Sequence, residues 1–195
     1  MIHWVVPIVV AYLLGSISFS YVAGRITRGI DIREHGSGNA GATNTLRTLG
    51  KTAAIVVAAL DLSKGIGSVL IAEWLSASDP IVLMISGLAA VAGHNWPIYL
   101  GFRGGKGIAT TVGVFLALMF QATLIAGVIA IIVILITRYV SLGSLIFTVT
   151  LPIAIYFVGT YPSVYLWTSL LFTLFAFWRH RSNLSNLFKG VERKI

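Results

Sequence analysis

The chain has 195 residues, 57% of them hydrophobic and only 10% charged, with a mean hydropathy of +0.91. A soluble domain carries about 25% charged residues, so this chain cannot cover a water-facing surface; a soluble enzyme, a nucleic-acid-binding domain and a disordered chain are excluded as primary readings. The net charge of +8 does not revive the nucleic-acid reading, because the basic residues sit in short clusters between long apolar runs. With no cysteine there is no disulfide framework, no thiolate nucleophile and no cysteine zinc site. Lipid is the solvent that remains.

Taken in chain order, MIHWVVPIVV has no basic leading region or cleavage site and reads as a first span rather than a removable signal. A span needs about 20 apolar residues, and candidates fall at 3–23, 52–75, 81–100, 107–119, 121–137, 142–160 and 162–178. The run 107–137 reads as two short helices turning near Phe120–Gln121, and charge parity supports that division. With seven spans, the segments 24–51, 101–106, 138–141 and 179–195 share one side and hold 13 of the 14 basic residues. Excess Lys and Arg marks the cytoplasmic side. The fourth helix, at 13 residues, rises only about 20 Å. Asp79-Pro80 and Tyr161-Pro162 mark outer turns. No internal repeat is present. The expected fold is an all-α polytopic membrane bundle of seven transmembrane helices. It forms one domain over 1–195, N-terminus outside and C-terminus cytoplasmic.

Polar residues gather in two inner loops, DIREHGSGNAGATNTLRTLG (31–50) and GHNWPIYLGFRGGKGIATT (93–111). Both are rich in Gly, Asn, Ser, Thr, Arg and Lys and nearly free of acid. Glycine lets backbone N–H groups converge, hydroxyls and amides add donors, and Arg and Lys supply countercharge. Phosphate, with several acceptor oxygens, is the guest this composition suits. Glycine-rich membrane loops also serve simply for tight turns and close helix packing; two such loops on one face, each with basic residues, favour the phosphate site.

Three lookalike motifs fail on context. Gly36-Ser37-Gly38-Asn39-Ala40-Gly41 satisfies GxGxxG but follows Ile32-Arg33-Glu34-His35, not a strand of a βαβ unit. Gly104-Gly105-Lys106-Gly107 has Leu100 where a Walker loop needs its first glycine, and Gly107 where it needs Ser or Thr. Thr111-Val112-Gly113-Val114-Phe115 lies in an apolar helix, not on a pore loop. Asp61 and Lys64 share a helix face inside the second span, which predicts a mutual ion pair fixing helix packing over direct substrate contact. His3, His35, His94 and His180 lie far apart, and the chain has six acids, so no metal site is expected. Of the four, His94, in the second loop, and His180, with Asn183 one turn on, carry functional weight.

Three segments resemble one family. They are Gly15-Ser16-Ile17-Ser18-Phe19 running on to Arg25; His35-Gly36-Ser37-Gly38-Asn39-Ala40-Gly41-Ala42-Thr43-Asn44 continuing to Arg47; and Gly93-His94 with Pro97, Phe102 and Gly104-Gly105-Lys106-Gly107-Ile108-Ala109-Thr110. The chain resembles the integral-membrane acylphosphate:glycerol-3-phosphate acyltransferases of bacterial phospholipid synthesis. Ile17 departs from the proline expected there, which bears on helix shape more than on chemistry. The resemblance implies transfer of a fatty acyl group from acyl phosphate to the 1-hydroxyl of glycerol 3-phosphate, giving lysophosphatidic acid and phosphate. It implies no cofactor, neither acyl-CoA nor acyl carrier protein, no nucleic-acid partner, and a place in the bacterial cytoplasmic membrane with the active site facing the cytoplasm. The sequence agrees on the donor by absence: the residues five beyond the four histidines are Ile8, Ala40, Tyr99 and Ser185, so no His-x₄-Asp dyad exists.

The resemblance and same-side placement together imply the roles. Ser37, Gly38, Asn39 and Thr43, with His94, serve the acyl phosphate and the departing phosphate. Arg47 and Lys106 clamp the glycerol phosphate or bridge both anions. Gly36, Gly104, Gly105 and Asn44 complete the loops around substrate, and His180, Asn183, Ser141 and Ser144 close over its polar part. Two bases are open, His94, since histidine ordinarily titrates near 6.5, and a substrate phosphate with a second pKa near 6. A site rich in donors and poor in bases favours the phosphate. Asp31 and Glu34 are expected to be tied to Arg28 and Arg33, or solvated. The competing function is a transporter for a phosphorylated small molecule, although such proteins usually show inverted repeats and midplane binding.

Overall fold

In lipid, every backbone polar group must find its partner within the chain. Regular structure among the described residues, 2–195 of the computed structural model, is accordingly helical, with no strand. The chain divides into two compact units, Met1–Ala117 and Leu118–Ile195. Five stretches are long and apolar enough to cross a membrane, namely His3–Arg28, Lys51–Ser76, Pro80–Leu100, Phe120–Thr137 and Val140–Val158.

The first unit contains α1 (Ile2–Gly15), α2 (Phe19–Arg28), α3 (Ala42–Leu49), α4 (Lys51–Ser76), α5 (Pro80–Asn95) and most of α6 (Ile108–Leu118). Helix α1 packs on α4 and α5, and α2 and α3 lie along α4. Small residues let these backbones approach. A Cβ at Gly65 on α4 would meet the Thr110 carbonyl and the Val114 nitrogen of α6, and one at Gly113 would meet Leu62 and Ile66 of α4. The Asp79-Pro80 turn is the start of α5. The Asp79 carboxylate accepts from Ile81 N at 2.9 Å and Val82 N at 3.4 Å, with Pro80 in the first turn where its missing N–H costs nothing.

Two expectations change here. The run 3–23 is not one helix; it breaks at 16–18 between α1 and α2. Ser16 Oγ donates to the Tyr12 carbonyl at 2.8 Å, and Ser18 Oγ accepts from Tyr21 N at 3.4 Å as the cap of α2. Serine hydroxyls that satisfy local backbone groups compete with helix continuation, a signal hidden inside an apolar stretch. Ile17, the departure from proline, lies in this break. The segment 31–50 is also not all loop: it contains a 3₁₀ turn, Ile32–Glu34, and α3.

The second unit contains α7 (Phe120–Thr137), α8 (Val140–Val158), α9 (Ser163–Arg179) and α10 (Arg181–Phe188). The run 107–137 does divide in two, with the break at Met119. At 11 residues α6 rises about 17 Å, and α9 at 17 residues about 25 Å. Within α8, Pro152 has no N–H for the carbonyl four residues back, that of Thr148. Thr173 Oγ1 of α9 donates to that carbonyl at 2.7 Å.

Candidate active site

The two glycine-rich loops meet at one end of the first unit. Asp31 caps the 3₁₀ turn, accepting from Arg33 N at 3.0 Å, while the Arg33 guanidinium grips the same carboxylate, Nη2 to Oδ2 at 2.7 Å. Arg33 Nη1 then donates to the Leu100 carbonyl of the second loop at 2.9 Å. The partner of Asp31 is therefore Arg33, with Arg25 at 4.0 Å, and not Arg28. The hydrogen bonds from Arg33 hold the Asp31 carboxyl down at about 2 and push the Arg33 guanidinium up.

Asn44 shapes the first loop from beneath. Its Oδ1 accepts from Ser37 N at 2.7 Å, and its Nδ2 donates to the carbonyls of Ile32 at 3.0 Å and His35 at 2.9 Å. Asn44 is fully buried, and its amide holds the loop. Above it, Gly36 and Gly38 take φ of +63° and +72°, the left-handed region that glycine enters without strain. Gly36, Ser37 and Gly38 are exposed, Asn39 and Thr43 half-buried. Thr43 and the exposed Arg47 stand at i, i+4 on α3, so they share a face.

The second loop folds back on the end of α5. Gly105 N donates to the His94 carbonyl at 3.0 Å and Gly104 N to the Asn95 carbonyl at 3.3 Å, satisfying carbonyls that a helix end leaves open. Tyr12 Oη donates to the Trp96 carbonyl at 2.8 Å. Gly105 is tightly enclosed; a Cβ there would strike the His94 ring at Nε2 and the Ala40 carbonyl of the first loop. Lys106, half-buried, follows directly. Arg33 and Ala40 of the first loop thus meet Leu100 and Gly105 of the second, with His94 beside Gly105.

Behind His94 lies a buried charge cluster. Lys64 Nζ is 2.8 Å from Asp61 Oδ1, 2.9 Å from His94 Nδ1 and 2.7 Å from the Ile17 carbonyl in the α1–α2 break. Asp61, Lys64 and His94 are 1%, 3% and 6% exposed. The ion pair expected from the i, i+3 spacing is present. Its contact with His94 could not be read from spacing, since the two lie 30 residues apart on different helices.

The remaining four expected residues lie in the second unit. Ser141 Oγ and Asn183 Nδ2 both donate to Glu192 Oε1, at 2.7 and 2.6 Å. Ser144 Oγ donates to the Val140 carbonyl at 2.8 Å, and His180 Nδ1 is 2.8 Å from the Ala176 carbonyl. Sequence reasoning passed over Glu192, although it is the single acid of the basic tail. Among the described residues no group of three His, Cys, Asp or Glu could hold a metal.

A membrane-embedded helical protein with an anion-suited junction of two glycine loops defines a class, and comparison narrows it. A family model described as glycerol-3-phosphate acyltransferase matches residues 5–190. The glycerol-3-phosphate acyltransferase of Shouchella clausii (strain KSM-K16) is 48% identical over 199 residues, spanning 100% of this chain and 97% of that protein. That of Halalkalibacterium halodurans is 48% identical over 189 residues, spanning 95% of this chain and 92% of that protein. The crystal structure of PlsY (YgiH), an integral membrane glycerol 3-phosphate acyltransferase, matches in its glycerol 3-phosphate form with a TM-score of 0.91 and 39% identity, over 97% of this chain and 94% of that one. Its lysophosphatidic acid form matches at 0.89 and 38%, with the same coverage. This chain belongs to the glycerol-3-phosphate acyltransferase family.

Proposed function

We propose that this chain moves a fatty acyl group from acyl phosphate to the 1-hydroxyl of glycerol 3-phosphate, releasing lysophosphatidic acid and phosphate. Acyl phosphate is a mixed anhydride that already carries a good leaving group, so the reaction needs no acyl-enzyme intermediate. The glycerol hydroxyl oxygen attacks the acyl carbon, the carbon–oxygen bond to phosphate breaks, and the hydroxyl proton passes to a phosphate oxygen. The protein's task is to hold two phosphates together, aim the hydroxyl and stabilise developing negative charge.

The observation that carries this reading is the junction itself, where Arg33 reaches Leu100 and Gly105 closes on His94 and Ala40. Two donor-rich, acid-poor loops converge there, as adjacent phosphates require. Ser37, Gly38, Asn39 and Thr43, with His94, take the acyl phosphate and the departing phosphate; Arg47 and Lys106 clamp the glycerol phosphate. The backbones of Gly36, Gly104 and Gly105 shape the cradle, and the acyl chain lies between helices in or beside lipid. The chain crosses the bacterial cytoplasmic membrane seven times, with its N-terminus outside and both loops facing the cytoplasm. Because it contains no cysteine, single cysteines introduced at exposed Ser37 and Ser78 report the sidedness of each end by impermeant labelling.

The deciding experiment uses purified protein in detergent, where there are no compartments. Acyl phosphate with glycerol 3-phosphate should release phosphate and form lysophosphatidic acid, whereas acyl-CoA or acyl carrier protein thioesters should not substitute. Lys106→Ala and Arg47→Ala should each remove nearly all activity from folded protein. No turnover in detergent would overturn the proposal and leave transport standing.

A further inference from the structure

We propose that Lys64 is a positioning residue that fixes His94 with its ring proton on Nε2. This makes His94 a hydrogen-bond donor at the loop junction and removes it as the base of the reaction proposed above, on which the kinetic part of this inference rests.

An ammonium has three donors and no acceptor. Lys64 Nζ donates to the Ile17 carbonyl at 2.7 Å and meets His94 Nδ1 at 2.9 Å, while Asp61 Oδ1 lies at ion-pair distance, 2.8 Å. The first partner exists only because the helix breaks at 16–18 and frees a carbonyl. Asp61 neutralises the buried cation. The Phe19 ring, 5.6 Å from Nζ, covers the same cation. A nitrogen facing an ammonium at 2.9 Å must offer its lone pair, because a proton on Nδ1 would point at the ammonium hydrogens. Neutral imidazole carries one N–H, so the proton belongs on Nε2.

The competing arrangement would have Nδ1–H donate to Asp61, leaving Nε2 basic. The Asp61 oxygen is 3.5 Å from Nδ1, against 2.9 Å for Lys64, and beyond ordinary hydrogen-bond length. Lys64 and Asp61, both from α4, face Nδ1. On the other edge, Nε2 lies where a Gly105 side chain would be, among the backbones of Gly105 and Ala40. The proton lost by the glycerol hydroxyl then goes to a substrate phosphate.

The tautomer is measurable without turnover. In protein labelled with ¹⁵N-histidine and reconstituted in nanodiscs, the His94 resonances, identified by their loss in His94→Gln, should show a pyridine-like Nδ1 and a protonated Nε2. In Lys64→Met, or in Asp61→Asn/Lys64→Met where no buried charge is left unpaired, Nδ1 should gain the proton. Kcat should then fall about 100-fold, as for loss of one transition-state donor. The KM for glycerol 3-phosphate should stay within about threefold, and Lys64→Arg should recover part of kcat. A wild-type spectrum with the proton on Nδ1 overturns the proposal even if no variant folds, and so does a folded Lys64→Met that keeps the wild-type tautomer and kcat. Absence of acyl transfer by the wild type would overturn the proposed function while leaving the spectrum to decide the tautomer.

Discussion

Replacing Asn44 tests whether one side chain holds the first loop. It makes three hydrogen bonds, one accepted from Ser37 N and two donated to the Ile32 and His35 carbonyls. At about 1 kcal/mol net each, Asn44→Ala removes about 3 kcal/mol. Water can reach Ser37 and His35, which are exposed, but not Ile32, which is fully buried, so the expected loss is about 2–3 kcal/mol. For a chain of this size that lowers the thermal midpoint by about 4–12 °C. Asn44→Asp is the sharper variant: it keeps the acceptor for Ser37 N and turns an anionic oxygen towards two carbonyls. It should be at least as destabilised as Ala, with faster amide exchange across 32–41 and a raised KM for glycerol 3-phosphate. Thermal unfolding in detergent with hydrogen exchange reads both effects. If Asn44→Asp matches the wild type in both, the side chain does not hold the loop and the account of the site's shape fails.

Three further outcomes are expected. Gly113→Ala should lose about 1–3 kcal/mol, because the methyl meets the Leu62 carbonyl of α4. Gly127→Ala, with nothing within 4 Å of the new methyl, should gain up to about 1 kcal/mol from helix propensity; parallel melts of the two compare backbone crowding with open space. The Asp31 carboxyl, lowered from 3.8 to about 2 by Arg33, contributes about 2 kcal/mol. Because the folded value is the lower, that stability is present above pH 4 and lost as pH falls towards 2. Asp31→Asn should be less stable at neutral pH and lack that acid limb in a pH series of melts. His94→Gln, which keeps an N–H donor, should hold kcat within about tenfold, whereas His94→Ala should lose about 100-fold; a pH–rate profile whose limbs match in wild type and His94→Gln would assign the base to substrate.

Composition alone made the helical membrane class legible, because 10% charge and long apolar runs admit few alternatives. The two-helix division of 107–137 was legible from charge parity, and the Asp79-Pro80 turn from capping chemistry. The break at 16–18 was not, since two serines within an apolar stretch disturb hydropathy little while offering hydroxyls to the backbone. At the candidate site, the loops were marked by Gly, Asn and basic residues, but the part Asn44 plays was hidden: a buried amide and a ligand-facing amide are the same letter. The meeting of Lys64 with His94 depends on how α4 packs beside α5, and no spacing along the chain encodes it.

The Thr173 hydroxyl on the Thr148 carbonyl also limits how the second unit can move. Sliding α9 along α8 by one turn would carry the hydroxyl about 5 Å away and strand the carbonyl that Pro152 leaves without a helix partner. A rotation about that contact keeps the bond. The pair therefore acts as a pivot, and relative motion of α8 and α9 should be a hinge about Thr148, with little axial shift between the two helices.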